Sequence, residues 1–585
     1  MKKTNLTVTM IAATLLLAAC SGGGGSAGKS VEGAPILGGN DPGSNASPPP
    51  SGSYGGGGGT GTEPPPYVAP PPTSGGAVPA SGSATVGAWS PTVMQWTDGS
   101  GKSVLPLHMA LLADGRVMSY GTHDGTPDGS FQFLYDVWQP PVGTLNGPDA
   151  YSSHLTLPTG IDTHLFCSAQ ILIPTTGQLL INGGDNWNDT NQANENIGTT
   201  EISMYTPGTN VLTKAGNMNE PRWYGTPITL PNGEMYIQGG TDGRSVFGGG
   251  TPVVATHGEI RNPVTGQFRL LTGFNTAAFD NNYPRNFVAP DGKVFGYDHQ
   301  QMYKIDPFAN GGAGSMQVLY DDEWRHGWTG TSTAVMFRPG KILQIGGLGG
   351  WADDGRTPTI IDINGATPVL TNAARISQKR NWANSTVLPD GKVVLMGGSE
   401  VNVLDDQVNW TTGQIGYGVE IYDPVANTWT LGPTQQRMRL YHSVALLLPN
   451  GTVLSAAGGW PGPQLNRNAE VYYPPYLFKA DGSWAARPTI GSAPTVANPS
   501  SSISITSPDA ANIGRVTIVK TGSVTHSFNF EQRFIELAFT RTGNTLNLQL
   551  PANPYETPPG FYMIFVLDTN GVPSEAKIVR INPTP

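Results

Sequence analysis

The sequence predicts an all-β protein, a ring of β-sheet blades followed by a smaller β-sandwich. Three observations predict it. Glycine (78) and proline (51) are abundant among 585 residues and charged residues are only 13%, which suits turn-rich strands better than helices. A unit of apolar strand, Gly-containing turn, second apolar strand and Gly or Gly-Gly recurs along the chain. After residue 478 that unit stops, and short alternating strands follow at irregular spacing.

Taken in order, the chain opens with MKKTNLTVTMIAATLLLAAC. Lys2 and Lys3 form a basic region ahead of an apolar run that is short for a membrane span. Leu17-Ala-Ala-Cys20 resembles a bacterial lipobox, so residues 1–20 are expected to be a lipoprotein signal peptide with a lipidated Cys20. That implies a lipid-anchored protein of the bacterial cell envelope, at the outer membrane or cell surface. Residues 21–85 are rich in Gly, Pro and Ser and cannot bury a core, so they are expected to be a disordered tether. As a coil it would span about 45 Å. With Cys20 lipidated, Cys167 is left as a lone thiol, and an internal disulfide is excluded. The net charge is −10 and no Lys/Arg cluster stands out, which excludes a nucleic-acid binder.

Residues 86–478 carry the repeat. Its turn glycines are Gly115, Gly177, Gly233, Gly292, Gly340, Gly391 and Gly451, at intervals of 62, 56, 59, 48, 51 and 60 residues. A period near 50 built on hairpins and Gly-Gly points to a kelch-type propeller of seven blades, which leaves no long sheet edge exposed. The segments EISMYTPGTNVLT, GEIRNPVTGQFRLL and VEIYDPVANTWTLG fit the outer hairpin of a four-stranded blade. In the last copy, RMRLYHSVALLLPNGTVLSAAGG, Asn450-Gly451 predicts a tight hairpin turn with Tyr441 and His442 at its far end. Residues 479–585 are expected to be an Ig-like sandwich.

The register of the repeat singles out candidate residues. Cys167 lies ten residues before its turn glycine, Tyr224 nine, and Tyr441 and His442 ten and nine. Equivalent positions of successive blades share one height, so these four are expected at one face, near the axis, as a candidate site. Trp382, nine before Gly391, shares that offset.

From Gly87 to its end the chain resembles the copper radical oxidases, the family of galactose oxidase and glyoxal oxidase. The resemblance is carried by HLFCSAQ around Cys167, RWYGTP around Tyr224, RLYHS around Tyr441 and His442, VTHSFNFEQR around His526, and the closing PPGFYMIFVLDTNGVPS. It implies one copper ion held by Tyr224, Tyr441, His442 and His526, with His526 on a loop of the last domain that reaches into the propeller. It implies a Cys167–Tyr224 thioether whose Tyr carries a radical, and Tyr441 as axial ligand and general base. Cys167, Tyr224 and Tyr441 are then the catalytic residues. The implied reaction is the two-electron oxidation of a small aldehyde or primary alcohol, with O2 reduced to H2O2, by a monomeric enzyme. Imidazole and phenolate donors suit Cu(II), and a redox-active side chain supplies the second electron.

Tyr283 and Trp382 sit where the family has pocket residues. Asp242 stands where galactose oxidase stacks a Trp over its radical Tyr, so no indole shields Tyr224 from that position. With the Arg-Trp-Tyr context at 222–224, this places the chain nearer the glyoxal oxidase branch. His164, three residues before Cys167, is a further candidate neighbour of the site. The competing expectation is a propeller without catalysis that presents its loops to a surface glycan or protein.

Overall fold

The computed structural model describes residues 82–121, 124–125, 131–141, 153–186, 197–242, 253–279, 282–298, 301–321, 331–347, 355–400, 414–459 and 464–584. Cys20, the signal segment and all but the end of the tether lie outside them. Strands dominate, and among the described residues no helix is long and apolar enough to cross a membrane.

Each repeated unit folds as the antiparallel hairpin its pattern predicts, and all seven turn glycines take positive φ, between 65° and 87°. The turn around Asn450-Gly451 is wider than the tight two-residue form. Leu447 pairs with Val453, Gly451 N–H donates to the Leu448 carbonyl, and Leu448 N–H to the Thr452 carbonyl. Only Gly451 is left-handed (φ 81°). Pro449, with its fixed φ, suits a type I turn, and the glycine then supplies the bulge that restores the strand twist.

Four hairpins are extended outward into separate four-stranded antiparallel arrays and a fifth into a five-stranded one, and together they make a β-propeller. One array runs Trp223–Thr229, Met235–Thr241, Glu259–Arg261, Phe268–Leu270. Another contains Ser443–Leu447, Val453–Ala457 and Asn468–Tyr473, and its fourth strand is Ala88–Trp89 from the start of the described chain. The hairpins His108–Leu111/Val117–Tyr120 and Thr333–Arg338/Lys341–Ile345 also carry two outer strands each, but both belong to one 16-stranded sheet. What joins them is a hairpin of the C-terminal domain. Ser523–Thr525 pairs antiparallel with His108–Leu111, and Phe528–Thr542 starts parallel to Thr333–Arg338. Arg285 lies over the Phe528 ring at 4.9 Å, Gln170 donates to the carbonyls of Met109 and Val524, and Gln532 accepts from Val387 N–H.

The C-terminal domain has its own core, with Ile505, Val516, Ile518, Leu546, Leu548, Ile564 and Val566 among its buried members. Its long strand Phe528–Thr542 leaves that core to line the propeller.

Three buried ion pairs repeat with the blades, a pattern the strand periodicity does not reveal. Arg222, Arg380 and Arg439 contact Glu259, Glu420 and Glu470 at 2.8, 2.8 and 3.1 Å. Each arginine also donates to a carbonyl at the end of the neighbouring strand, at Gly239, Gly397 and Ala457. All six side chains are almost fully buried, so loss of one partner strands a charge. Arg380→Met is expected to cost about 3–5 kcal/mol, and Arg380→Met/Glu420→Leu much less. Denaturation midpoints of the two variants check this, and equal losses would contradict it.

Candidate metal centre

The centre begins with a backbone feature. Cys167, Tyr224, Tyr283, Trp382 and His442 all have positive φ, at 57°, 75°, 48°, 61° and 66°. This left-handed conformation is uncommon for residues with a Cβ, and unusual for bulky ones. All five stand nine or ten residues before their turn glycines, Tyr283 among them, nine before Gly292. Hydrogen bonds link them from blade to blade. Tyr224 N–H donates to the Cys167 carbonyl (3.0 Å) and Tyr283 N–H to the Tyr224 carbonyl (2.8 Å). The shared offset seen in the sequence is thus a shared backbone state that brings these side chains together.

His526 arrives from the other domain. Thr525 pairs with Phe528, so His526 and Ser527 are the two central residues of a hairpin turn, both with positive φ (46° and 65°). That is the type I′ geometry, which matches the twist of the flanking strands. The turn delivers the imidazole to Cys167, Tyr224, Tyr283, Tyr441 and His442.

The Tyr224 and Tyr441 hydroxyls are 2.7 Å apart. The His442 and His526 rings are perpendicular with centroids 4.4 Å apart, and His526 lies 5.1 Å from Tyr224 and 5.4 Å from Tyr441. Cys167 Sγ is 4.0 Å from His526 Nε2. Ligand atoms of Cys167, His442 and His526 fall within 4.8 Å of one another. Cys167, Tyr224, Tyr441, His442 and His526 are all at most 3% exposed.

Both imidazoles have their tautomers set by neighbours. The Thr525 hydroxyl donates to the Leu107 carbonyl, so its oxygen accepts from His526 Nδ1–H at 2.6 Å. His442 Nδ1–H donates to the Gly459 carbonyl at 3.0 Å. In both rings the lone pair is then on Nε2, the arrangement by which an outer acceptor orients a metal-ligating histidine. Burial, with His442, His108 and Arg285 nearby, holds His526 well below the ordinary histidine range and keeps it neutral. Two imidazoles and two phenols converging in a buried site make an N2O2 donor set that fits Cu(II).

The pocket candidates divide. The Tyr283 ring lies 4.6 Å from His526 and 4.9 Å from Tyr224, and its hydroxyl donates to the Ser168 carbonyl. Trp382 lies 4.5 Å from Tyr441, edge to face. Asp242 instead braces loops. Its Oδ1 and N–H bond the backbone of Val253, and its carbonyl accepts from Gly198 N–H. His164 stands one ring away from the site, 5.7 Å from Phe166, which is itself 5.4 Å from His442.

Sequence reasoning missed the aromatic neighbour of Tyr224. The Trp223 indole is fully buried, with its centroid 4.3 Å from the Tyr224 ring. The left-handed turn at Tyr224 allows adjacent residues to meet this way, which strand alternation argues against. Thr525 and Phe166 were missed for a similar reason, since their roles depend on contacts between distant segments.

If Thr525 orients His526, then Thr525→Val weakens copper binding by about 10–100-fold, while Thr525→Ser retains it. Competition with a chelator of known affinity measures this, and unaltered affinity in Thr525→Val would remove Thr525 from the centre.

Comparisons with known proteins agree with this geometry. Residues 487–581 match the family described as galactose oxidase-like, early set domain. Galactose oxidase of Gibberella zeae is 25% identical over 527 residues, covering 85% of this chain and 71% of that protein. An aldehyde oxidase of Vitis pseudoreticulata is 24% identical over 399 residues, covering 62% of this chain and 72% of that protein. In fold, the chain resembles a fungal alcohol oxidase solved in complex with copper, at a TM-score of 0.69 and 22% identity, covering 85% of this chain and all of that one. Along most of its length the chain is thus similar to galactose oxidase and to aldehyde oxidases, and its fold is that of a copper-containing alcohol oxidase.

Proposed function

We propose that this protein oxidises a small aldehyde or simple primary alcohol by two electrons and reduces O2 to H2O2, with Tyr224, Tyr441, His442 and His526 holding one copper ion. The observation that carries the proposal is the Tyr224–Tyr441 hydroxyl contact of 2.7 Å beside two Nε2-presenting histidines. Copper at these residues supplies a one-electron couple and a coordination position for the substrate oxygen.

The residues supply the remainder. For an alcohol, RCH2OH + O2 gives RCHO + H2O2, and a hydrated aldehyde gives the acid by the same balance. Tyr441 Oη takes the hydroxyl proton as general base. Tyr224, as a radical, takes the hydrogen atom from the substrate carbon and so supplies the second redox equivalent. A thioether to Cys167 makes that phenol easier to oxidise, and the Tyr224 N–H to Cys167 carbonyl bond supports the pairing. Forming the thioether breaks an S–H and a ring C–H bond, makes one C–S bond, and passes two protons and two electrons to O2. Tyr283 and Trp382 line the substrate pocket, and Asp242 bounds it at a greater remove.

The wider architecture follows the same reading. The two four-stranded runs inside the 16-stranded sheet are taken as two further blades, making seven. The packing of the first strand of the last repeat, Ser443–Leu447, against that of the first, His108–Leu111, supports a closed ring. Residues 86–478 then form the propeller and 479–585 the Ig-like domain. The lipobox at Cys20 and the Gly/Pro/Ser-rich stretch after it support anchoring to the bacterial envelope by lipid.

Peptide mapping after treatment with copper and O2 is expected to recover the peptides of Cys167 and Tyr224 joined and lighter by two hydrogens. Cys167→Ser is expected to lose the cross-link and most peroxide output. Tyr441→Phe should lower kcat about 10²- to 10⁴-fold, read in a peroxide assay. A protein that takes up no copper and never loses the two hydrogens would instead be a binding propeller.

A further inference from the structure

A cleft of about 740 Å³ lies where the turn side of the propeller meets the C-terminal domain. Asp390 and Lys392, at the turn of the Asn381–Val387/Val393–Ser399 hairpin, form one wall, and Arg515 belongs to the other domain. Tyr476, partly exposed, gives it an aromatic edge, and behind it Phe478 is buried and stacked on Trp484 at 4.7 Å. Lys392 and Arg515 are neutralised by Asp423 and Glu536. Lys479 is exposed and forms no ion pair among the described residues. The described chain begins at this cleft. Ala84, in the short helix Ser83–Val86, lines it, and that helix packs on Pro475–Leu477.

The sequence just before this point is unusual. Residues 63–72 read EPPPYVAPPP, two proline triplets around Tyr67-Val68-Ala69 with a single acid at Glu63. Proline triplets are pre-set to the polyproline II conformation, and aromatic-lined grooves bind such segments at low entropic cost. Eleven residues lie between Pro72 and Ala84, a reach of about 40 Å when extended. A segment on so short a leash has an effective concentration on the order of 1 mM, so even a weak groove affinity gives substantial occupancy. Glu63 carries the charge opposite to Lys479, whose other acidic neighbour is the exposed Asp481.

We propose that Glu63–Pro72 docks in this cleft as a polyproline II segment. The tether is then fixed to the turn side of the propeller, at the opposite end of the blade hairpins from Cys167, Tyr224 and His442. A free glycan is the rival occupant, since aromatic and charged clefts also suit sugars, but it has no covalent link to raise its local concentration.

The test uses the full chain and a full-length variant in which Pro64, Pro65, Pro66, Pro70, Pro71 and Pro72 are changed to Ser. Hydrogen exchange of residues 476–486 is expected to be about twofold or more faster in the variant, because occupancy at an effective concentration near 1 mM is lost. Protease cutting within 63–81 should rise in parallel. Lys479→Glu should shift both readouts the same way, while peroxide production and the Cys167–Tyr224 cross-link stay unchanged in both variants. Equal exchange and equal cutting in the parent and the proline variant would overturn the proposal. Protection of 476–486 by an added oligosaccharide, with no effect of the proline changes, would assign the cleft to a glycan instead.

Discussion

The structure depends on a repeated left-handed backbone position at the inner rim of the propeller. A residue with a Cβ pays about 1–2 kcal/mol to adopt it. Cys167, Tyr224, Tyr283, Trp382, His442 and His526 all do so within one cluster. Such conformations persist only where the surroundings over-determine them. Here the inter-blade N–H to carbonyl bonds fix the turns, and Arg222, Arg380 and Arg439 hold the backbone on their N-terminal side. An ordinary extended strand would send alternate side chains to opposite faces. The left-handed step breaks that alternation, and five blades and a hairpin turn present their side chains to one small volume.

Those arginines are also expensive to bury. A buried guanidinium is tolerable because Glu259, Glu420 and Glu470 meet it with good geometry and carbonyls take its remaining protons. The rigidity this gives is of chemical use. Donor atoms that converge on one ion need fixed spacing, and the second ring nitrogens of His442 and His526 are held by Gly459 and Thr525. The centre is thus supported in two layers, one of neutral hydrogen bonds to its ligands and one of ion pairs beneath the backbone that carries them.

Much of this was legible in the sequence. The hairpins are where the apolar-Gly-apolar unit places them, and the equal offsets of Cys167, Tyr224, Tyr441, His442 and Trp382 correspond to a real cluster. Tyr283 shares that offset and could have been found from it alone. Other features were not legible because they depend on pairs far apart in the chain. The Arg–Glu pairs join residues 31 to 40 apart and appear only when third strands are aligned. The turn at Asn450-Gly451 reads as a two-residue turn until the preceding Pro449 is given its fixed φ. Strand alternation forbids the Trp223–Tyr224 contact, so a periodicity argument cannot see it. Asp242 was placed by alignment with a ring it does not resemble, and its carboxylate serves Val253.

The hairpin that carries His526 sets a schedule for making the protein. Ala88–Trp89 cannot find its partner until Asn468–Tyr473 exists, so the last blade array is completed only after nearly four hundred residues have been added. His526 comes later still and must enter between two inner strands that belong to different repeats. Such long-range closure is slow and leaves sheet edges open in the interim. It also means that a partly made chain holds the tyrosines and the thiol before His526 can join them. The buried cluster is therefore completed only once the C-terminal domain has been made and has docked on the propeller.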